Sequence, residues 1–325
     1  MQNEYSNAGN TFADSVSSFS SADITITKKD KKPLIINLII RSLLFAVCIG
    51  VFCFSCIMII SKANEKAAVE ELYDAVRPSE TGSAVEKSAN LPEPSPMYTL
   101  SDMLSAGSSY NDYLEDVVSP DTAARRLSYY RNYLTFLSTY KDAYAWIYVS
   151  YTEIDYPVMK GKTNNFYLTH NYKGESSSSG SIYAEDRMSN DYNANLNTCI
   201  YGHCMKNGTM FRTLKTFMES ANRYTLAKDM VIEVYTKQGL YIYKPISGYR
   251  ADGANFIKTA FPNTGTYLEW LDGITALDTL RLSRKYDENS RICTLVTCAN
   301  VSSNDDERYV LHGVLTSFIP ADQIG

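Results

Sequence analysis

Histidine and cysteine are scarce in this chain, and one residue of each type occupies a matching sequence context. His203 follows the apolar run 197–201 and is preceded by Gly202, which lets the backbone turn. Cys298 ends the apolar run 292–298 and is followed by a polar stretch. Cysteine nucleophiles use an imidazole as their proton partner in acyl transfer. The two contexts therefore predict strand ends that carry a nucleophile and an acid–base group to one rim of the fold.

Arg308 lies ten residues after Cys298 and opens the last apolar run, so a short loop would return it beside the cysteine. A guanidinium there would lower the pKa of a thiol and donate hydrogen bonds to the oxyanion of a tetrahedral intermediate. The pattern predicts Cys298 as nucleophile, His203 as acid and base, and Arg308 as oxyanion stabiliser. The alternatives are a buried structural cysteine, a packed core histidine and a surface ion pair of the arginine with a neighbouring acidic residue.

The other two histidines and two of the other cysteines are expected to be structural. His312 lies inside the last apolar run and is expected to be packed or hydrogen-bonded, and His170 is expected to have a structural role. Cys199 and Cys293 are expected to be packed thiols, close together if their strands are neighbours. No two of the three histidines have the spacing of metal ligands, so we expect neither a metal nor a cofactor.

The segment 42–60 carries no charged residue and is rich in Leu, Ile, Val and Phe. Helix at about 1.5 Å per residue would let this run nearly cross the ~30 Å hydrocarbon core of a bilayer. Five basic residues between 28 and 41 precede it, which predicts a cytoplasmic N-terminus and an extracellular remainder. We expect a single-pass protein of the cell membrane that contacts the lipid bilayer through residues 42–61. The alternative, a cleaved signal peptide, fits the late start of the run poorly.

Changes in composition divide the chain into five predicted segments. The first is polar, a spacer with several prolines follows the apolar run, and Ser119-Pro120 begins an amphipathic helix. A weaker helical pattern covers Tyr110–Val117. The predicted segments are a cytoplasmic tail at 1–41, a transmembrane helix at 42–61, a stem and Pro-rich spacer at 62–100, an N-terminal helical segment at 101–141 and a catalytic barrel at 142–320.

From Tyr144 onward the pattern is mainly β. Short apolar runs alternate with turns, and Lys237-Gln238-Gly239 predicts a hairpin. Eight strands with few helices favour a closed barrel, because closure removes exposed edges. Helical insertions are predicted at Gly208–Met218 and Thr266–Leu271. The predicted strands are Ala145–Val149, Ile154–Val158, Ser181–Ala184, Leu196–Tyr201, Val231–Thr236, Leu240–Ile246, Ile292–Thr297 and Tyr309–Leu315.

These motifs together resemble a known family. T-L-V-T-C at 294–298, with Arg308 ten residues on, resembles the signature of sortases, and Y-G-H-C-M-K-N-G-T-M-F at 201–211 is similar to the histidine motif of class B sortases. The resemblance covers about residues 143–316. Other segments similar to class B are Trp146-Ile147, Ile154-Asp155-Tyr156-Pro157-Val158, Tyr167-Leu168-Thr169-His170 and Gly180-Ser181-Ile182-Tyr183.

The resemblance implies an eight-stranded sortase-type barrel with N-terminal helices, and a groove shaped by the insertion near Thr266–Leu271. It implies the roles given above for Cys298, His203 and Arg308. The implied partners are secreted proteins with a C-terminal sorting signal, which is cleaved to a thioester, and a peptidoglycan-precursor amine that resolves the thioester. The alternatives are a pilin lysine as acceptor, in a pilin-polymerising sortase, or hydrolysis by a secreted cysteine peptidase.

The chain departs from the class B pattern at two places. Cys204 stands where class B members often have asparagine, and Ala299-Asn300 lacks the acidic residue that some members carry after the nucleophile. A thiol beside His203 suggests the hypothesis of a reversible Cys204–Cys298 disulfide that switches the enzyme off. Mass spectrometry of non-reduced peptides tests it, and finding both thiols free under oxidising conditions removes it.

Two further classes of protein are alternatives. L,D-transpeptidases place their histidine and cysteine in one short motif, whereas His203 and Cys298 lie 95 residues apart. The second is a non-catalytic anchored binding module. Labelling by a thiol-reactive probe at neutral pH that is lost in Cys298→Ala would weigh against it. Nucleic acid is not an expected partner, because the net charge is −5 and the ectodomain has no basic stretch with interleaved aromatic residues.

Overall fold

A computed structural model describes residues 28–78, 119–251, 257–298 and 307–324, with the backbone alone at 28–34 and at Cys298. The chain divides after Ile60 into an N-terminal unit and a larger unit that begins at Ser61. The predicted helix at Tyr110–Val117 and most of the predicted spacer lie outside the described residues.

The first element is a single helix, α1, at Lys28–Asp74. Its portion from Ile35 contains a window with a mean hydropathy of 2.9, which makes it long and apolar enough to cross a membrane by length and composition. The helix begins before the predicted membrane segment and continues into the predicted stem as far as Asp74. The stem is thus the C-terminal part of the same helix rather than a separate one.

Eight strands close into a barrel, as the sequence predicts. Their order around the barrel is β1-β2-β3-β4-β7-β8-β6-β5, and β5 pairs with β1 to complete it. Two of the neighbouring pairs, β2–β3 and β4–β7, are parallel, and the others are antiparallel. The strands are β1 at Ala143–Val149, β2 at Asp155–Met159, β3 at Ile182–Ala184, β4 at Asn197–Tyr201, β5 at Ile232–Thr236, β6 at Gly239–Ala251, β7 at Ile292–Cys298 and β8 at Arg308–Pro320.

Strands β6 and β8 are longer than their sequence patterns predict. They pair from Gly239 opposite Pro320 to Ala251 opposite Arg308, and the register shifts on either side of Pro245. A proline cannot donate to the ladder, so a bulge there lets the pairing continue beyond it. The apolar pattern stops at this irregularity, which is why the sequence predicts an end to β6 near Ile246.

Five shorter α-helices accompany the barrel in the part of the chain that the structure describes. Helix α2 is capped by Ser119, whose Oγ accepts from the N–H of Thr122 at 3.3 Å, in agreement with the predicted start. The predicted insertion at Gly208–Met218 corresponds to one helix, which begins only at Arg212, and a second helix follows beyond the predicted range. The helices are α2 at Pro120–Thr139, α3 at Asn164–Leu168, α4 at Arg212–Glu219, α5 at Arg223–Asp229 and α6 at Thr264–Ala276.

Helix α6 lies between β6 and β7 in the chain and is longer than the predicted insertion at Thr266–Leu271. Asn263 and Thr266 form a capping box at its N-terminus. Its buried side chains, among them Trp270 and Leu271, form one apolar cluster with β6, β7 and β8. This cluster is separate from the larger core, which fills the barrel and reaches α1 and α2. The helix therefore fixes the sheet region that carries β7 and β8.

A buried ion cluster joins α2 to the barrel. Arg125 and Arg126 donate to the carboxylate of Glu233 at 2.8–2.9 Å, and the hydroxyl of Tyr235 donates to it at 2.7 Å. Burial raises the pKa of Glu233, but the hydrogen bonds and charge of Arg125 outweigh it and hold the pKa below its ordinary value.

We expect Glu233→Gln to lower the free energy of unfolding by about 3 kcal/mol, because it leaves buried guanidinium charge uncompensated. The measurement is urea unfolding of the full chain in detergent at neutral pH. Since the folded-state pKa of Glu233 lies below its unfolded value, the loss is greatest at neutral pH and fades as the pH falls through the folded-state pKa. Glu153→Gln is the control, because Glu153 is exposed. Equal effects of the two substitutions would contradict the prediction.

Candidate active site

His203 lies just beyond the end of β4. The strand ends at Tyr201, and Gly202 turns the chain in a space too small for any side chain. A Cβ on Gly202 would lie 2.5 Å from the ring of Phe211 and 2.6 Å from the methyl group of Ile182. Only glycine fits this close approach, and the half-buried imidazole follows directly after it.

Both the ring and the backbone of His203 are held. Its Nε2 lies 2.7 Å from the carbonyl oxygen of Leu168 at the end of α3, and its own carbonyl accepts from the N–H of Phe211 at 3.0 Å. A carbonyl only accepts, so the proton of the neutral ring lies on Nε2. Nδ1 is therefore the nitrogen of His203 that remains for proton transfer.

The parallel pairing of β4 with β7 brings the His203 and Cys298 positions level. Asn197 is opposite Ile292 and Tyr201 is opposite Val296, a constant offset of 95 residues. The N–H of Gly202 continues this contact by donating to the carbonyl of Val296 at 3.2 Å. The same offset separates His203 from Cys298, so the two positions meet at the same end of neighbouring strands.

The antiparallel pairing of β7 with β8 adds Arg308 at the same end. Cys298 is the last residue of β7, Arg308 is the first of β8, and the two are register partners. The guanidinium of Arg308 donates to the carbonyl of Glu307 at 2.9 Å. The Glu307 carboxylate is in turn paired with Arg250. Glu307 is thus in contact with two arginines, with Arg308 through its backbone and with Arg250 through its carboxylate.

The threonines of β7 support the strand from within. Thr294 donates to the amide oxygen of Asn197 at 2.6 Å and accepts from Nδ1 of His312 at 2.8 Å, because its single proton is already used. The hydroxyl of Thr297 is buried and has no hydrogen-bond partner among the described residues.

His312 is confirmed as a packed core residue. It is fully buried, and its Nε2 lies 2.9 Å from the hydroxyl of Tyr249. Burial lowers the pKa of the imidazole to about 3. It therefore stays neutral at physiological pH and serves the internal hydrogen-bond network. His170 lies elsewhere, stacked on the ring of Phe166 with centroids 4.3 Å apart.

Cys199, Cys204 and Cys293 are free thiols. Cys199 and Cys293 are buried in neighbouring strands, but Cys199 is opposite Thr294, one residue past Cys293. Successive side chains alternate between the faces of a sheet, so the two thiols belong to opposite faces. Burial raises the pKa of both. Cys204 is also buried, and its Sγ lies 3.6 Å from the guanidinium of Arg212.

The partner of the His203 ring is a feature that the sequence did not reveal. The Leu168 carbonyl belongs to α3, a five-residue helix that is absent from the sequence prediction. The motif Tyr167-Leu168-Thr169-His170 contains this segment. The contact to His203 is made by the backbone carbonyl of Leu168 and not by a side chain of the motif. A backbone carbonyl carries no residue-type signal, so only the folded chain identifies it.

The arrangement combines an orientated imidazole, a cysteine position and a guanidinium at one end of three adjacent strands. These are the components for nucleophilic acyl transfer. In the described part of the chain, no group of three His, Cys, Asp or Glu side chains has the geometry of a metal site.

Comparison with known proteins agrees with this fold. A family model described as a sortase domain matches residues 147–316. A Listeria monocytogenes protein named sortase B is 31% identical over 180 residues, covering 54% of this chain and 71% of the relative. A Staphylococcus aureus sortase B is 33% identical over 172 residues, covering 53% of this chain and 69% of the relative.

Solved structures give the same result. The Staphylococcus aureus sortase B–substrate complex is similar with a TM-score of 0.52 and 30% identity, over 59% of this chain and 86% of that one. Clostridium perfringens sortase B is similar with a TM-score of 0.50 and 30% identity, over 56% of this chain and 97% of that one.

Proposed function

Because the chain belongs to the sortase family of cysteine transpeptidases, with class B sortases as its relatives, we propose that it anchors secreted proteins to the cell wall. In this proposal the enzyme cleaves a C-terminal sorting signal of the secreted protein and joins the acyl fragment to a wall amine. The observation that carries the proposal is the register of β4, β7 and β8, which gives His203, Cys298 and Arg308 a common barrel end.

In the first half-reaction, the Cys298 thiolate attacks the scissile carbonyl carbon of a threonine-containing sorting motif. A C–S bond forms, and Arg308 stabilises the oxyanion of the tetrahedral intermediate. His203, protonated, gives its Nδ1 proton to the leaving amine as the C–N bond breaks. The acyl fragment is then held as a thioester on the enzyme.

In the second half-reaction, an acceptor amine attacks the thioester. His203 accepts the proton of the incoming nitrogen, the C–S bond breaks and the thiolate is restored. An amine of a peptidoglycan precursor is the acceptor in this proposal, and a pilin lysine is the alternative acceptor. The Leu168 carbonyl keeps the Nε2 proton in place, so one ring nitrogen performs both proton transfers.

We further propose that α1 anchors the enzyme in the cell membrane with its N-terminus in the cytoplasm. The support is the uncharged run of α1 and the basic residues before it, which favour the cytoplasmic side. The catalytic barrel would then face the cell wall, where its secreted substrates and its amine acceptor are present.

The test of the transfer reaction uses the purified full chain in detergent with a library of fluorescent peptides that contain a central threonine. Hydroxylamine serves as a small amine acceptor, and products are identified by mass spectrometry. We expect a hydroxamate of the N-terminal peptide fragment, formed faster than the free acid. Release of free acid alone would favour a cysteine peptidase, and no cleavage of any peptide would refute the proposal.

A further inference from the structure

The C-terminal part of α1 is bound to the catalytic barrel at Tyr73. This side chain is fully buried, and its hydroxyl donates to the carbonyl of Gly180 at 3.2 Å. One residue earlier, the carbonyl of Leu72 accepts from the hydroxyl of Tyr172 at 3.0 Å. Two hydrogen bonds from adjacent helix residues therefore hold the segment between α3 and β3.

The segment that Tyr73 holds is packed against the carbonyl that orientates His203. Gly180 has a φ of +55°, and a Cβ built on it would lie 2.6 Å from the Leu168 carbonyl oxygen. A side chain at position 180 would collide with the Leu168 carbonyl, so the bare Gly180 backbone is what allows the two segments to lie together. The group of Leu168 that contacts His203 is its backbone carbonyl, which accepts the Nε2 proton.

The ring of Tyr73 contacts a second support of the same histidine. It packs edge-on against Tyr156 with ring centroids 5.0 Å apart. The hydroxyl of Tyr156 accepts from the N–H of Met210 at 3.1 Å. The next residue, Phe211, donates its N–H to the His203 carbonyl. The two groups that hold His203 are thus linked to Tyr73 indirectly, the Leu168 carbonyl through Gly180 and the Phe211 N–H through Tyr156 and Met210.

We propose that Tyr73, in the part of α1 that follows the apolar run, is a positioning residue for His203. It fixes the Gly180 backbone against the Leu168 carbonyl and so keeps the imidazole in one tautomer and one orientation. The proposal rests on the role of His203 in the proposed function. It implies that the barrel without this stretch of helix would fold around a less well-orientated histidine.

Tyr73→Phe is the direct test, because it removes only the hydroxyl and keeps the ring against Tyr156. Tyr133→Phe is the matched control. Tyr133 is also fully buried and donates to a backbone carbonyl, but that carbonyl belongs to Tyr144 in β1, at 3.1 Å, rather than to the segment between α3 and β3. The two substitutions should lower the melting temperature by similar amounts, since each removes one buried hydrogen bond of the same kind.

Catalysis should separate the two variants. We expect Tyr73→Phe to lower kcat for thioester formation roughly tenfold with KM within about twofold, because a misplaced proton donor slows the chemical step rather than binding. Tyr133→Phe should keep kcat within about twofold of the unmodified enzyme. Equal kcat values for the two variants would overturn the proposal.

A second readout does not depend on activity. Nitrogen-15 NMR of the full chain with labelled histidine side chains reports the tautomer of each imidazole, and His312 serves as an internal reference. We expect Nε2–H to be the main neutral tautomer of His203 in the unmodified protein, and to lose population relative to Nδ1–H in Tyr73→Phe only. An unchanged His203 signal would overturn the positioning role even if the proposed reaction occurs. A shifted signal in an enzyme that transfers no peptide would support the positioning role and refute the proposed function.

Discussion

Cys298→Ala is expected to abolish the thioester intermediate and the transfer of peptide to an amine. Alanine has no group that can attack a carbonyl, and the remaining residues can only polarise the substrate. Loss of a nucleophile in comparable enzymes costs several orders of magnitude, so we expect a fall in kcat of at least about 10⁴-fold. Intact-protein mass spectrometry after incubation with the peptide library, quenched with acid, measures the acyl-enzyme directly.

Cys293→Ala is the matched control for this prediction. Cys293 lies on the same strand, five residues earlier, and is a free and fully buried thiol whose pKa is raised by burial. A buried thiol with a raised pKa is a poor nucleophile. We therefore expect this variant to form the thioester whenever it is folded. A thioester trapped on Cys298→Ala would move the nucleophile to another residue.

Arg308→Gln is expected to lower kcat and kcat/KM together by about 10²–10³-fold. A donor to the oxyanion acts in the transition state and is worth roughly 3 kcal/mol there, whereas it contributes little to binding of the ground state. Arg308→Lys should recover only part of the activity, because lysine keeps the charge but lacks the planar fork of donors. Single-turnover rates of thioester formation measure the effect without interference from the acceptor step.

Arg250→Gln controls for the general loss of positive charge at this end of the barrel. Arg250 is the register partner of Tyr309, next to Arg308, and its guanidinium pairs with Glu307. Its side chain is about half exposed, so we expect a change in rate of no more than a few-fold. If Arg250→Gln and Arg308→Gln were equally impaired, the effect would be one of overall charge, and the role of Arg308 at the oxyanion would be wrong.

The site has a practical consequence for the design of a truncated enzyme. A domain that begins at residue 79, after the first described segment, would lack Tyr73 and with it the contacts to Gly180 and Tyr156. Kinetic comparison of such a domain with the full chain would confound the loss of the proposed membrane anchor with the loss of the proposed support of His203. Keeping Ser61–Pro78 in the shortened chain separates the two effects.

The eight strands could be predicted from the sequence because their signal is local. Each run of apolar and β-branched residues is bounded by turn residues, as in the hairpin at Lys237-Gln238-Gly239 between β5 and β6. Boundaries failed where the local pattern is interrupted without the pairing being lost, as at Pro245 in β6. The short helix α3 was missed because five residues give too few apolar repeats to show a helical period.

The residue types that are available for chemistry follow from the sequence alone. They are a cysteine and a histidine at the ends of two apolar runs, and an arginine at the start of a third. That these ends are neighbours is shown by the fold. Two positions 95 residues apart lie side by side because β4 and β7 pair in parallel with that offset. The fold alone likewise shows that Tyr73 bonds to Gly180, whose backbone lies near the Leu168 carbonyl. The sequence specifies the type of each side chain. Backbone carbonyls are alike at every position, so each gains a role only from the groups that fold against it.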